Sequence, residues 1–442
     1  MLKRVGQDNQ PAVAALRMSQ ASFPAPFPAV LEYGAPARGA WNIVHTGMLI
    51  PEVHQIFVCA AGCLRGVVLT AAEMGASDRF STVTIRENNV LDGDMEDLIV
   101  EGVTDILNRL PKLPPAVLVY TSCIHHFMGC DLPLCYRILG ERFPGVAFTD
   151  CYMNPIMRKS GLTPDQLMRR QLYSLLTPKE EDPKSCSIVG NDLSTDESSD
   201  LVRMIRGAGY ALRDVTLCRT YEEYQDMARS AFHISTQAPA KAGGDALSQE
   251  LGRPHLYLPL CYGADEIRRH MTALADKLGV DYDGGGQIRE EAERALAEAL
   301  EVIGQTPISI DYTATPRPLS LARMLLEHGF RVERLYIDAF SGEEKEDFLW
   351  LQANAPDVWL LPTVHPTMRV AERAQSGKTL AIGQKAAYFT DTRNFVNIVE
   401  GGGMYGFDGI AQMARRMVYS FQTEQDTRQL IQQKGLGCTC CL

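Results

Sequence analysis

HQIFVCAAGCLRGVVLTAAEM, residues His54–Met74, is the stretch from which the rest of the chain can be read. Its first part is a short apolar run ending in Cys59, the composition of a buried strand. A helical pattern begins at once, with Cys63 in its first turn. A strand that feeds directly into a helix is half of a βαβ unit, and such units build parallel sheets with helices on their faces.

The pattern recurs in both directions. In the first third, strands are expected near His54–Cys59, Phe80–Ile85, Ala116–Cys123 and Val146–Tyr152, each followed by a helical run. MEDLIVEGVTDILNRL, from Met95, is the clearest of those helices. The polar stretch TPKEEDPKS, from Thr177, reads as a linker. A second unit follows with strands at Cys186–Gly190, Ala211–Leu217, Phe232–Thr236 and His255–Pro259, and with helices near Ser194–Gly209 and Asp265–Leu278. DYDGGGQ breaks the pattern, and the helix REEAERALAEALEVIG then leads to strands near Ile308–Tyr312, Val332–Ile337, Val358–Pro362 and Leu380–Ile382. The expectation is an α/β protein of three Rossmann-like domains with mostly parallel open sheets. Their bounds are 1–184, 185–288 and 289–420, with a tail at 421–442. At roughly 150 residues per domain, 442 residues agree with that number.

Composition narrows the function. With 43 Lys+Arg against 54 Asp+Glu the net charge is −11, which argues against a nucleic-acid coat or a polybasic membrane binder. The longest uncharged stretch, Leu113 to Cys130, contains Pro114, Pro115, His125 and His126 and reads as strand plus loop rather than a membrane span. MLKRVGQDNQ has two basic residues but no apolar segment after them, so a cytoplasmic protein is expected, with neither nucleic acid nor membrane as partner.

Twelve cysteines then need an account, because a reducing compartment does not favour disulfides. Cys59 and Cys63 would lie at a strand's carboxyl end and a helix N-terminus, where open α/β sheets place ligands and where the helix dipole favours thiolate. AVLVYTSCIHHFMGC repeats the arrangement with Cys123. Two strand-end cysteines in one domain point to a metal or redox site; the plainer alternative is a pair of buried thiols. Cys130 and Cys135 form no CxxC pair and are expected in the core. So are Cys151, Cys186, Cys218 and Cys261. His125 and His126 could carry a proton or orient a ligand, with solvated loop histidines as the alternative, and His54, five before Cys59, carries the same ambiguity. In the tail, Cys438, Cys440 and Cys441 lack a fourth nearby ligand. Gly401, Gly403 and Gly406 have G-x-G-x-x-G spacing, but too little chain follows for a βαβ unit. SGKTL has Glu372 where a phosphate loop needs glycine, so no nucleotide is expected on this chain.

Taken together, VHQIFVCAAGC, VLDGDMEDL, YTSCIHHFMGCDL and GGGMYGFDGIAQMARRM resemble nitrogenase component 1, in order and over essentially the whole chain. The resemblance implies paired subunits that share an iron–sulfur cluster at their interface, and an ATP-hydrolysing iron protein that supplies electrons. Cys59 and Cys123 match the second and third cluster-binding cysteines of the family motif. The first would fall near Ala35, where no cysteine stands, and Cys63 is an extra thiol. Two cysteines per chain would suit a [4Fe–4S] cluster in a symmetric dimer, and three would suit a larger one. The family's cofactor histidine would fall near Val396 and its cofactor cysteine near Thr236, with His233 an imperfect substitute.

The resemblance therefore implies a nitrogenase-like oxidoreductase subunit that reduces something other than dinitrogen, a tetrapyrrole-like or carbon–sulfur compound being candidates. Its expected partners are an iron-protein homologue and either a second copy or a related component 1-like subunit. His125, His126 and Asp131 are the expected proton carriers, and Cys59, Cys63 and Cys123 the expected metal ligands. A scaffold that holds a metal cofactor during its assembly is the alternative.

Overall fold

A computed structural model describes residues 14–28, 43–153, 161–371 and 377–426. The strands, in chain order, are β1 (Leu16–Arg17), β2 (His54–Ala60), β3 (Phe80–Ile85), β4 (Ala116–Ser122), β5 (Ala147–Met153), β6 (Asp182–Ile188) and β7 (Ala211–Asp214). They continue with β8 (Ser230–Ser235), β9 (His255–Tyr257), β10 (Ile308–Asp311), β11 (Val332–Tyr336), β12 (Trp359–Leu361), β13 (Leu380–Ile382) and β14 (Phe395–Val396). They form three sheets with orders β3-β2-β4-β5, β7-β6-β8-β9 and β1-β12-β11-β10-β13-β14. Every pairing is parallel except that of β1 with β12. The chain is thus an α/β protein with mostly parallel open sheets, as its sequence pattern predicts.

Contacts divide the described residues into two units. One draws on 41–194 and 209–259 and holds the first two sheets; the other draws on 1–40, 195–208 and 260–442 and holds the third.

In the first unit β4 is buried at every residue and β2 at all but Ala60, because helices cover both faces of the sheet. Phe57, Cys59 and Tyr120 face a core shared with the second sheet through Tyr173, Val189 and Tyr224. Ile56, Val58, Val117 and Val119 face the other way, onto Ile99, Val103 and Leu139. The helix Met95–Arg109 buries Met95, Ile99, Val100, Val103 and Leu107, a stripe at helical spacing. At roughly 2 kcal/mol for each side chain, this burial outweighs what helix propensity alone supplies. Gly102 lets that helix lie close on β3, since a Cβ there would sit 2.8 Å from a Val83 methyl. A buried ion pair, Arg169 with Asp192, ties the helix Pro164–Tyr173 to the loop after β6, and Arg169 also donates to the Gly190 carbonyl.

Three local expectations change. The segment after β4 is not a loop but a helix, Cys123–Met128, because the Ser122 backbone N–H bonds His125 Nδ1 in a capping arrangement and Gly129 ends the turn in the left-handed region. The TPKEEDPKS stretch is not wholly linker: β6 begins at Asp182, which pairs with Ser230 and whose carboxylate accepts from Arg213. The helix expected from Ser194 begins at Asp200, where the Ser199 hydroxyl accepts from Val202 N–H.

The glycine-rich GGGMYGFDG also receives a structural account. It precedes the helix Gly406–Gln422, whose first N–H groups, on Phe407 and Asp408, donate to the Asp200 carboxylate. Gly406 has φ +73°, and a Cβ there would run into that carboxylate. The helix N-terminus that a phosphate would use is filled by the chain's own anion.

Candidate metal centre

The first sheet runs from β2 outward to β3, then returns past β2 to β4 and β5. Its direction reverses between β2 and β4, and open α/β sheets bind ligands outside the carboxyl ends of the strands at such a point. Cys59 is the penultimate residue of β2, and Cys123 opens the helix that follows β4. Cys63 is the third residue of the helix Ala61–Glu73, which starts where β2 stops. The fold thus brings all three thiols to one reversal point. Cys59 is buried, Cys123 half-buried and Cys63 exposed.

Burial pushes the Cys59 thiol up to about 12, and the neighbouring charges of Cys63 and then Cys123 push in the same direction. Each of these two therefore lies close enough to act on Cys59. Left to itself, Cys59 stays protonated at neutral pH. A metal that takes it as thiolate must displace the proton, and gathered thiols that repel each other's negative charge gain most when a cation is placed among them. The set is all sulfur, the donor class of iron–sulfur clusters. Among the described residues no group of three or more His, Cys, Asp or Glu side chains converges on a single metal ion. A multi-iron cluster spreads its thiolates over several metal atoms, so its ligands need not converge in that way. The residues fit such a group.

The two thiol-bearing helices expose apolar side chains alongside Arg65 and His126. On the helix Ala61–Glu73, Val68 is 42% exposed and Leu69 47%. Gly62 and Gly66 have empty space where a Cβ would stand. On the helix after β4, Phe127 is 68% exposed and Met128 43%. The G-x-x-x-G spacing of Gly62 and Gly66 and the length of the HHFM run were visible in the sequence, and their exposure was not.

The expected proton carriers take different places. His125 is buried, accepts from the Ser122 N–H at 3.1 Å, and has its pKa lowered by burial. Its Nε2 has no hydrogen-bond partner among the described residues. His126 is exposed and meets the Phe127 ring edge-on. Asp131 caps the helix Leu132–Arg142 by accepting from Leu134 N–H at 3.1 Å. His54 is buried, with Nε2 2.8 Å from Ser81 Oγ.

The remaining described cysteines are accounted for by packing. Cys151 belongs to the core shared by the first two sheets, with Cys218 packed against it; Cys135 belongs to the opposite core, with Cys130 packed against it. Cys186 and Cys261 are buried. His233 is buried on β8 with Nδ1 2.7 Å from Ser187 Oγ, and Val396 is buried in β14. Ala35 and the three tail cysteines lie outside the described residues. No helix among the described residues is long and apolar enough to cross a membrane.

Comparison with solved structures shows the fold. The chain is similar to nitrogenase Cp1 at pH 6.5, with a TM-score of 0.65 and 13% identity over 89% of this chain and 95% of that one. It is also similar to nitrogenase Cp1 at pH 5, with a TM-score of 0.56 and 13% identity over 89% of each. No curated protein matches. The family model for nitrogenase component 1 type oxidoreductases matches residues 43–422, and with the three thiols at the reversal of its first sheet this chain belongs to that family.

Proposed function

We propose that the chain is an iron–sulfur oxidoreductase subunit. In this reading it receives low-potential electrons from an ATP-dependent iron protein and reduces a bound substrate other than dinitrogen. The observation that carries the reading is the meeting of Cys59, Cys63 and Cys123 at one sheet's reversal point, beside a helix that exposes Val68 and Leu69. Cys59 and Cys123 would hold the cluster, with Cys63 a third ligand if the cluster is larger than [4Fe–4S]. When bound, the cluster would take up and pass on electrons one at a time at low potential. The buried Cys59 would hold its share of the site out of water, which lowers the local dielectric and tunes potential.

A second component 1-like subunit, identical or related, would cover the helix Ala61–Glu73 and supply the remaining thiolates. Exposed Val68 and Leu69, with glycines that admit close backbone approach, support that partner. The lack of Cys or His at Thr236 and Val396 supports a substrate other than dinitrogen, such as a tetrapyrrole-like or carbon–sulfur compound. His126 stands exposed on the thiol-bearing turn, whereas His125 and Asp131 are engaged by the backbone.

The test is iron and acid-labile sulfide per chain in anaerobically purified protein, with reduced-state EPR, for wild type and for Cys59→Ala, Cys63→Ala and Cys123→Ala. About two iron per chain, lost without Cys59 or Cys123 and kept without Cys63, is the result for one shared [4Fe–4S] cluster. About four, with Cys63 required, is the result for a larger cluster. Absence of iron from every anaerobic preparation, including co-expression with an iron-protein homologue, would sink the proposal. Iron that leaves for an acceptor protein without electron transfer would make the chain an assembly scaffold instead.

A further inference from the structure

At the amino ends of β13 and β14 lies an open cavity of about 450 Å³, a size suited to a small ligand. Thr379 and Asn394, the residues just before those strands, form its floor and are each 8% exposed. Both are held in place. The Thr392 hydroxyl donates to the Thr379 carbonyl at 2.6 Å. Asn394 Nδ2 donates to the carbonyls of Ser420 and Phe421 at 2.9 and 3.1 Å, at the end of the helix Gly406–Gln422. The Thr379 hydroxyl and Asn394 Oδ1 have no hydrogen-bond partner among the described residues. Polar atoms that a nearly buried side chain turns into a cavity and the protein leaves unpaired are free to take a ligand.

The rim carries charge of both signs. Asp391 follows the helix Gln384–Thr390 and is exposed, with φ +51°. Lys378 is exposed as well, and its Nζ rests 3.7 Å from the centre of the Phe421 ring, a contact that fixes the ammonium without neutralising it. Arg393 and Glu424 pair with each other at 3.4 Å. Lys378 and Asp391 make no ion pair among the described residues, neither together nor with another group. A simple anion in this cavity would answer Lys378 and face Asp391; a simple cation would answer Asp391 and face Lys378. A ligand that carries both charges satisfies both. An α-amino acid does so with its two charged groups on one carbon, and its ammonium has three hydrogens to give. The carbonyl end of the helix Gly406–Gln422, whose Gln422 lines the cavity, favours that ammonium further.

We propose that this cavity binds a free α-amino acid. Lys378 takes the carboxylate, with the Thr379 hydroxyl donating to it, and Asp391 and Asn394 Oδ1 take the ammonium. Every residue of the site belongs to the unit that holds the third sheet, and none is a thiol of the metal centre, so the site stands apart from the reductase reading.

Isothermal titration calorimetry on the full-length chain tests this. The probes are L-alanine, L-glutamine and L-phenylalanine, with acetate and ethylammonium as ligands that carry one charge each. The expected result is one site per chain for at least one of the three amino acids, with acetate and ethylammonium weaker by roughly tenfold or more. Lys378→Gln and Asp391→Asn should each weaken the bound amino acid by roughly tenfold or more, because each removes a charge-assisted contact. Thr379→Val should weaken it less. The melting temperatures of ligand-free Lys378→Gln and Asp391→Asn should match wild type, since both side chains are exposed and Asn tolerates the left-handed region. No binding of any of the three amino acids up to about 10 mM overturns the proposal. Acetate or ethylammonium binding as tightly as the amino acids overturns it in favour of a simple ion site. Equal affinity in wild type and in both charge variants overturns it by placing the bound amino acid elsewhere on the chain.

Discussion

The third sheet reverses between β10 and β13, and there the chain fills its own crevice. Asp311, buried at the end of β10, accepts from the N–H groups of Thr313 at 2.8 Å and Ala386 at 2.7 Å, and from the Thr313 hydroxyl. Gly383 has φ +104°, and a Cβ on it would strike the Asp311 carboxylate. At the reversal of the first sheet the strand ends carry thiols instead, one of them exposed, beside a helix face with nothing against its glycines. The two sites share a topology and differ in what stands at the strand ends. Parallel winding makes a crevice every time; the residue at the strand's carboxyl end decides whether backbone donors are satisfied internally or left for a ligand.

The largest effect should come from closing the third site further. Gly383→Ala forces an L residue into the left-handed region and against Asp311, and should cost roughly 3–5 kcal/mol. The readout is the urea midpoint at constant m-value. A loss below about 1 kcal/mol would mean that Asp311 does not hold that helix end rigidly, and the contrast with the first sheet would collapse.

Acidification should separate the two regions next. In the first sheet burial holds His54 down to about 4, below its unfolded value of 6.5, so the unfolded chain takes up a proton that the native one refuses. Stability from His54 is present above pH 6.5 and is lost as pH falls towards 4, by roughly 2–3 kcal/mol. Asp311 works in the opposite direction. Burial raises its carboxyl above 3.8, so its protonation eases the cost of burying it as pH falls. Amide exchange followed from pH 7 to pH 5 should show β2 and β3 losing protection before β10 and β13, and the slope at β2 should flatten in His54→Gln. Equal slopes in both sheets would remove the distinction.

The smallest effect is the sharpest on the proposed interface. Gly66 stands in open space inside a helix, so Gly66→Ala should raise the stability of the isolated subunit by about 0.5–1 kcal/mol. If a second subunit packs on that face, the same methyl should weaken association, read by sedimentation equilibrium. Unchanged association would free the helix Ala61–Glu73 from the interface.

Much of this was legible in the sequence. The strand Phe80–Ile85 and the strand Leu380–Ile382 have the predicted bounds: the first is an edge strand whose Val83 and Ile85 alternate with exposed threonines, and the second is a short, fully buried apolar run. Cys59, Cys63 and Cys123 were legible as a set, since a strand–helix junction fixes where a residue lies in a parallel sheet. The helix Cys123–Met128 was not, because six residues carry too little periodicity and its cap is a histidine reaching back to Ser122. Nor were the polar chains: Ser235, His255 and Asp245 are ten or twenty residues apart and meet only through the pairing of β8 with β9 and the helix that connects them.

The cap that Asp200 places on the helix Gly406–Gln422 bears on the order in which the chain can be completed. Residues 195–208 interrupt one unit in sequence and belong by their contacts to the other. As a ribosome delivers the chain, every residue of the thiol-bearing unit exists once Pro259 is made. The segment around Asp200 must wait through the synthesis of some two hundred further residues before Phe407 and Asp408 arrive to use its carboxylate.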